Sequence, residues 1–80
     1  MIRIGKESKL VSSKVIEKAV VFFGPGGLGL EVKERAECCA RFEGGGGFVF
    51  VQAVERDKGS DVDVESREWD YQVKEFLHKI

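Results

Sequence analysis

Three side chains in this sequence have the chemistry of nucleophiles or metal ligands: the adjacent cysteines Cys38 and Cys39 and the one histidine, His78. A closed zinc site needs four ligands, and a catalytic thiol needs a base within hydrogen-bond reach. The sequence supplies too few partners for either site. Because residues alternate between the two faces of a strand, we expect Cys38 to be a buried packing residue and Cys39 an exposed thiol. A small thiol-dependent enzyme centred on Cys39 is the third functional hypothesis.

Three carboxylates, Asp61, Asp63 and Glu65, alternate with apolar residues and therefore project from one face of a predicted strand. Oxygen ligands of this kind bind Ca²⁺ or Mg²⁺, and a divalent-cation-binding protein is the second functional hypothesis. Strand geometry separates successive carboxylates by about 7 Å, which is wide for one ion. Arg56 and Lys58 are also placed to neutralise them. A solvated strand is the simpler interpretation, and we expect no cofactor.

Two glycine-rich segments resemble phosphate-binding loops in composition. Residues 24–29 read Gly-Pro-Gly-Gly-Leu-Gly, but they follow a predicted helix and precede a strand, the reverse of a phosphate loop, so we interpret them as a helix stop and turn. Residues 44–47 are four consecutive glycines, which predict a wide or bulged connection with positive φ angles. Because a simple hairpin needs fewer glycines, Gly45 and Gly46 are candidates for a ligand-binding lip.

Aromatic residues supply the other candidate binding positions. Phe48 and Phe50 fall on one face of a predicted strand whose opposite face carries Val49, Val51 and Ala53. A strand that is apolar on both faces is either covered on both or presents one face to a partner. Near the last helix, Trp69 fits the buried face, whereas Tyr71 lies off it beside acidic residues, as in protein contact surfaces. The candidate ligand- or partner-binding residues are Gly45, Gly46, Phe48, Phe50, Trp69 and Tyr71.

Composition excludes several classes of function. The formal charge is -1, with 13 basic and 14 acidic residues interspersed, so we expect no nucleic-acid partner. The alternative is a basic patch assembled from lysines of the first quarter of the chain: Lys6, Lys9, Lys14 and Lys18.

No stretch has the roughly 18 apolar residues of a membrane span, and no signal peptide is recognised, so we expect a cytoplasmic protein without a membrane partner. The absence of Asn and Thr resembles thermophile composition.

The helical period first occurs after Ser12. Apolar residues then recur on one helical face, at Val15, Ile16, Ala19, Val20 and Phe23. Ser12 or Ser13 is the expected N-terminal cap. Gly24 is expected to end the helix in a left-handed conformation, and Pro25 prevents its continuation.

Alternating patterns predict a short N-terminal strand over residues 1–5 and four further strands. The first of the four carries Leu28, Leu30 and Val32 inward. The second carries Ala36, Cys38, Ala40 and Phe42 inward, the third spans residues 48–55, and the fourth carries Val62 and Val64 inward after a turn at Lys58-Gly59. A closing helix follows, with Trp69, Val73, Phe76, Leu77 and Ile80 on one face.

These elements predict a single α+β domain over residues 1–80, in the order (β)-α-β-β-β-β-α, with a four-stranded antiparallel meander and two helices packed on one face. This element order is similar to that of small helix-grip domains and of one repeat of the TATA-binding-protein-like fold. The resemblance implies helices laid across one face of a curved antiparallel sheet. It transfers no function.

The first functional hypothesis follows from the two apolar faces of the strand over residues 48–55. We expect a small, non-enzymatic binding or protein-interaction module whose sheet and last helix frame a partner surface or a pocket for a small apolar ligand. Self-association as a homodimer through the sheet is its simplest form.

Overall fold

A computed structural model of the protein describes residues 2–80. Its elements are β1 (Ile2–Ser8), α1 (Ser12–Phe23), β2 (Glu31–Arg35), β3 (Cys39–Gly44), β4 (Gly47–Arg56), β5 (Gly59–Arg67) and α2 (Asp70–His78). The strands form one antiparallel sheet in the order β1-β5-β4-β3-β2. The predicted α+β class and element order are confirmed. Of the N-terminal strand predicted over residues 1–5, Met1 lies outside the described residues.

β1 is longer than its alternating sequence predicts, because the charged residues that follow Gly5 continue the strand. It pairs with β5 from Ile2 to Ser8. Two of its side chains also bond to the chain end: Lys6 Nζ donates to the carbonyl of Leu77, and Ser8 Oγ donates to the carbonyl of Ile80 at 3.2 Å. β1 therefore closes one edge of the meander and connects that edge to the end of α2.

The hydrophobic core contains residues from both helices and from three strands of the meander. Its aromatic centre is Phe23 of α1, whose ring centroid lies 5.2 Å from that of Phe76 in α2 and 5.5 Å from that of Phe42 in β3. The strand residues that face this core are Ala40, Phe42, Val49, Val51, Ala53, Val62 and Val64, all at most 1% exposed. The predicted alternation of β4 and β5 is therefore confirmed.

The bounds of α1 agree with the apolar pattern, and Gly24 is its C-cap as predicted, but the predicted N-cap and the predicted left-handed conformation of Gly24 are wrong. The N-cap is Val11, and Ser12 Oγ instead donates to Glu55 Oε1 at 3.2 Å, because the start of α1 lies beside β4. Gly24 has a φ of -72° and is not left-handed. Its amide donates to the carbonyl of Val20, and a Cβ at position 24 would lie 2.4 Å from that oxygen. Glycine is needed there because the Val20 carbonyl, one turn earlier in the chain, leaves no room for a Cβ.

The strand predicted from Leu28 begins later, at Glu31. The Leu28 amide donates to the carbonyl of Phe22 at 2.9 Å, which satisfies a free carbonyl at the end of α1. Leu28 consequently stays in the turn and is 39% exposed, whereas Leu30 is buried. The hydrogen bonds that end the helix override the alternating pattern.

The connection between β3 and β4 is a tight hairpin, and the prediction of a wide or bulged turn is wrong. Gly44 and Gly47 are the last register pair, leaving Gly45 and Gly46 as the turn residues, with φ of 60° and 80°. Positive φ at both central positions is the requirement of a type I′ turn, whose twist matches that of the strands. A Cβ on Gly47 would lie 2.0 Å from the carbonyl oxygen of Arg67. The glycine run is thus explained by turn geometry and by the neighbouring strand.

The two helices contain 12 and 9 residues. Within residues 2–80, neither is long and apolar enough to cross a membrane.

Candidate interaction site on the open face of the sheet

The side of the sheet that faces away from the core carries an aromatic centre on β4. Strand alternation directs Phe48, Phe50, Gln52 and Val54 to this side, which we call the open face. Phe48 and Phe50 are half-buried, and Val54 is 57% exposed. The two aromatic rings therefore keep surface available for contact although they belong to the central strand.

Four charged residues flank these two phenylalanines in a regular pattern that follows from the register. Phe48 lies between Glu43 of β3 and Arg67 of β5, whereas Phe50 lies between Arg41 of β3 and Glu65 of β5. Cross-strand partners project from the same face, so the charges alternate in sign both along and across the strands. We call this set the aromatic patch: Arg41, Glu43, Phe48, Phe50, Glu65 and Arg67.

Contacts within the chain hold part of this patch in place. The Arg41 guanidinium carbon lies 4.8 Å from the centroid of the Phe48 ring, a cation–π distance, and Arg41 Nε lies 3.1 Å from Glu43 Oε2. A shallow depression of about 430 Å³ lies beside the same residues and extends to Gly46 and Arg67. The patch thus has an ordered apolar centre with charged groups at its border.

The structure gives the other predicted binding residues separate positions. Trp69 is half-buried and donates from Nε1 to the carbonyl of Gly44 at 2.9 Å, and a Cβ on Gly45 would lie 2.9 Å from its ring. Trp69 therefore supports the glycine hairpin.

Tyr71 is 68% exposed and does not line the depression beside Phe48. Hydrogen bonding to Glu75 raises the pKa of its hydroxyl. Gly46, Phe48 and Phe50 are the members that the fold brings to one surface.

The carboxylates of β5 also lie on the open face, where two of them are ion-paired. Asp61 Oδ1 lies 2.9 Å from Arg56 Nη1, and Asp63 Oδ2 lies 3.6 Å from Arg3 Nη2. Among residues 2–80 there is no group of three or more His, Cys, Asp or Glu side chains able to hold a metal ion. No observation therefore favours the cation-binding hypothesis for Asp61, Asp63 and Glu65.

The predicted orientation of the two cysteines is wrong. Cys38 precedes β3 in a bend and is exposed, so strand alternation does not apply to it, whereas Cys39 is half-buried at the first position of the strand.

Hydrogen bonding to Cys38 is the largest of the effects that raise the pKa of Cys39 from 9.0 to about 11; burial and the charge of Glu34 act in the same direction. A thiol with this pKa is protonated at neutral pH and is a weak nucleophile. This environment does not support a Cys39-centred enzyme.

A second apolar surface, which the sequence did not reveal, lies between the two helices. It is a groove of about 710 Å³ whose apolar lining includes Val21, Phe22 and Leu28. Val21 lies outside the buried stripe of α1 and is 69% exposed. An apolar residue outside the predicted buried face of α1 was the one sequence signal for this groove. The sequence alone could not predict the groove from it, because Leu28 joins Val21 in the lining only through the turn that follows α1.

Neither the family models, nor the curated proteins, nor the solved structures compared with this chain show a match to it.

Proposed function

We propose that this chain is a non-enzymatic interaction module that forms a homodimer through the aromatic patch, with the open faces of two copies packed against each other. The observation that carries the proposal is the alternation of charge around Phe48 and Phe50, because that pattern is complementary to itself. A two-fold dimer interface brings the same surface of both copies together, so self-complementarity is the property it requires.

One arrangement that matches the charges has its two-fold axis parallel to β4. Such an axis places β5 of one copy over β3 of the other. The cross-strand row centred on Phe48 then lies opposite the same row of the second copy, and the row centred on Phe50 does likewise. Glu65 then faces the second copy's Arg41, and Arg67 faces the second copy's Glu43. Phe48 and Phe50 meet their own equivalents at the centre, in a face-to-face packing of sheets about 10 Å apart.

A two-fold axis that lies in the interface perpendicular to β4 and passes between Phe48 and Phe50 matches the charges equally well. It places β5 of one copy opposite β5 of the other. The row of residues centred on Phe48 then lies opposite the second copy's row centred on Phe50. Arg67 then faces the second copy's Glu65, and Arg41 faces the second copy's Glu43. The alternating pattern therefore supports self-association in either orientation, and the two orientations differ in which charges form pairs.

The composition of the patch supports a protein interface of this kind. Interfaces have an apolar centre rich in aromatic residues and Arg, surrounded by a polar rim. The open face as a whole carries more carboxylates than cations, with Asp61, Asp63 and Glu65 in one strand. Such a face repels phosphate backbones, which supports a protein over a nucleic acid as its partner.

The experiment is sedimentation equilibrium through the micromolar range. We expect the unmodified chain to be dimeric and Phe50→Ser to be monomeric, because the substitution removes apolar area at the centre of the interface. Val21→Ser is the matched control, since it also removes an exposed apolar side chain but lies on α1, and it should remain dimeric. A strictly monomeric unmodified chain would overturn the proposal.

An NMR dilution series keeps the test independent of the folding of any variant. Amide shifts of Phe48, Phe50 and Glu65 in the unmodified chain should change with protein concentration, whereas that of Val21 should not. Shifts that are independent of concentration at the patch would contradict self-association through this surface.

A further inference from the structure

The groove between the two helices combines an apolar floor with a basic rim. Its apolar residues come from α1, from the turn that follows α1, and from the end of the chain: Val21, Phe22, Leu28, Phe76 and Ile80. Its volume of about 710 Å³ lies within the roughly 300–1,000 Å³ typical of small-molecule sites. The groove shares no residue with the aromatic patch, so it is a separate surface.

The floor of the groove is continuous with the core. Phe22 forms an edge-to-face contact with Phe23, with centroids 4.9 Å apart, and its centroid lies 5.7 Å from that of Phe76, which is buried. Val21 and Leu28 expose 69% and 39% of their surface at the sides. A linear apolar chain lying between them would cover side chains that solvent now contacts.

The charged side chains at the border favour an anion. Lys14, Lys18 and Lys79 line the groove with a single acidic side chain, that of Glu17. Glu17 lies 3.5 Å from Lys14, so this pair is balanced within itself. Lys18 and Lys79 remain as excess positive charge, and the Lys79 ammonium lies 5.1 Å from the Phe22 ring centroid, above the apolar floor. A ligand with a negative head and an apolar tail matches both features.

We infer that the groove binds a single-chain anionic amphiphile, specifically a free long-chain carboxylate. The carboxylate would lie between Lys18 and Lys79, and the alkyl chain would lie along Val21 and Leu28. This inference does not depend on self-association through the sheet, because the two surfaces are distinct.

The test uses dodecanoate below its micellar concentration, followed by NMR and by calorimetry. We expect amide shift changes at Val21, Leu28 and Lys79, and an affinity that rises about two- to fourfold for each methylene added from octanoate to dodecanoate. Dodecyltrimethylammonium, which has the same tail and the opposite charge, should bind at least about tenfold more weakly. Equal affinity for the two head groups would overturn the inference, as would shift changes confined to Phe48 and Phe50.

Variants test the two halves of the ligand separately. Lys18→Glu with Lys79→Glu should weaken dodecanoate at least about tenfold and strengthen dodecyltrimethylammonium. Val21→Asp should weaken both ligands, whereas Val11→Asp, at an exposed valine that does not line the groove, should change neither. Unchanged dodecanoate affinity in the lysine double variant would contradict the proposed head-group site.

A vesicle arm distinguishes the free carboxylate from a membrane surface. We expect no co-sedimentation with vesicles that contain anionic phospholipids under conditions in which dodecanoate binds. Binding to those vesicles without binding to monomeric dodecanoate would overturn the inference and assign the groove to a lipid surface.

Discussion

Arg41 and Glu65 are both register partners of Phe50, and they lie on opposite sides of it on the open face of the sheet. Their Cα atoms are two strand spacings apart, about 10 Å, with Phe50 between them, and Arg41 Nε instead lies 3.1 Å from Glu43 Oε2. The next row, centred on Phe48, carries the opposite order of charge, with Glu43 on β3 and Arg67 on β5. This reversal makes the aromatic patch complementary to a second copy of itself.

The contribution of α2 to stability is tested by Phe76→Ala. Phe76 is 1% exposed and contacts the rings of Phe22 and Phe23, so its truncation leaves a cavity in the aromatic centre of the core. We expect the free energy of unfolding in urea to fall by about 3–5 kcal/mol. Tyr71→Ala, on the same helix but 68% exposed, should change it by less than about 0.5 kcal/mol. Equal effects of the two substitutions would contradict the burial of this face of α2.

The geometry of the glycine hairpin predicts that substitutions at Gly46 and at Gly47 lower the free energy of unfolding by different amounts. Gly47→Ala places a Cβ 2.0 Å from the carbonyl oxygen of Arg67, so we expect a loss of about 3 kcal/mol or more in the free energy of unfolding. Gly46→Asn should cost less than about 1 kcal/mol, because position 46 has open space and Asn tolerates positive φ. Urea denaturation of the two variants checks the difference, and a tolerant position 47 would be inconsistent with the hairpin geometry.

Trp69→Phe distinguishes a supporting residue from a binding residue. The substitution removes the donor to the Gly44 carbonyl and part of the ring that lies against the hairpin. We expect the free energy of unfolding to fall by about 1–2 kcal/mol while the dimer dissociation constant changes little. Loss of self-association without loss of stability would instead assign Trp69 to the interface.

The pH dependence of cysteine alkylation tests the environment of Cys39. Because its pKa is raised to about 11, the thiol is protonated at pH 8, and its thiolate appears only as the pH rises toward that value. We expect the rate of iodoacetamide alkylation at Cys39, resolved by fragment-ion mass spectrometry, to rise with a midpoint near pH 11. Cys38→Ala removes the largest cause of the raised pKa and should move the midpoint to lower pH. A midpoint near 9 in the unmodified chain would contradict the hydrogen bond between the two thiols.

The sequence predicts those parts of the fold in which one residue pattern and one buried face determine the element. Val49, Val51 and Ala53 alternate with the residues of the open face in β4, and Val73 and Phe76 follow the helical period in α2. Both elements are observed as expected. Phe48 and Phe50 could likewise be placed on one surface from alternation alone.

Other features depend on contacts between distant residues, which no local pattern records. The Leu28 amide is held by a carbonyl of α1, and Ser12 bonds to Glu55 of β4, so a strand start and a helix cap differ from the prediction. The alternation of charge in the aromatic patch depends on which residues face each other across three strands. Glu65 meets Phe50 only through the β4–β5 register, which the sequence does not specify.

The most direct measurement is sedimentation equilibrium of charge-reversed variants of the aromatic patch. Arg41→Glu places like charges opposite each other in either two-fold arrangement and should be monomeric at concentrations where the unmodified chain is dimeric. Adding Glu65→Arg restores complementarity if the axis is parallel to β4, whereas adding Glu43→Arg restores it if the axis is perpendicular. We predict that one of these double variants recovers the dimer, with urea denaturation confirming that every variant is folded. Folded double variants that both remain monomeric, or an unmodified chain that never dimerises, would contradict the proposed interface.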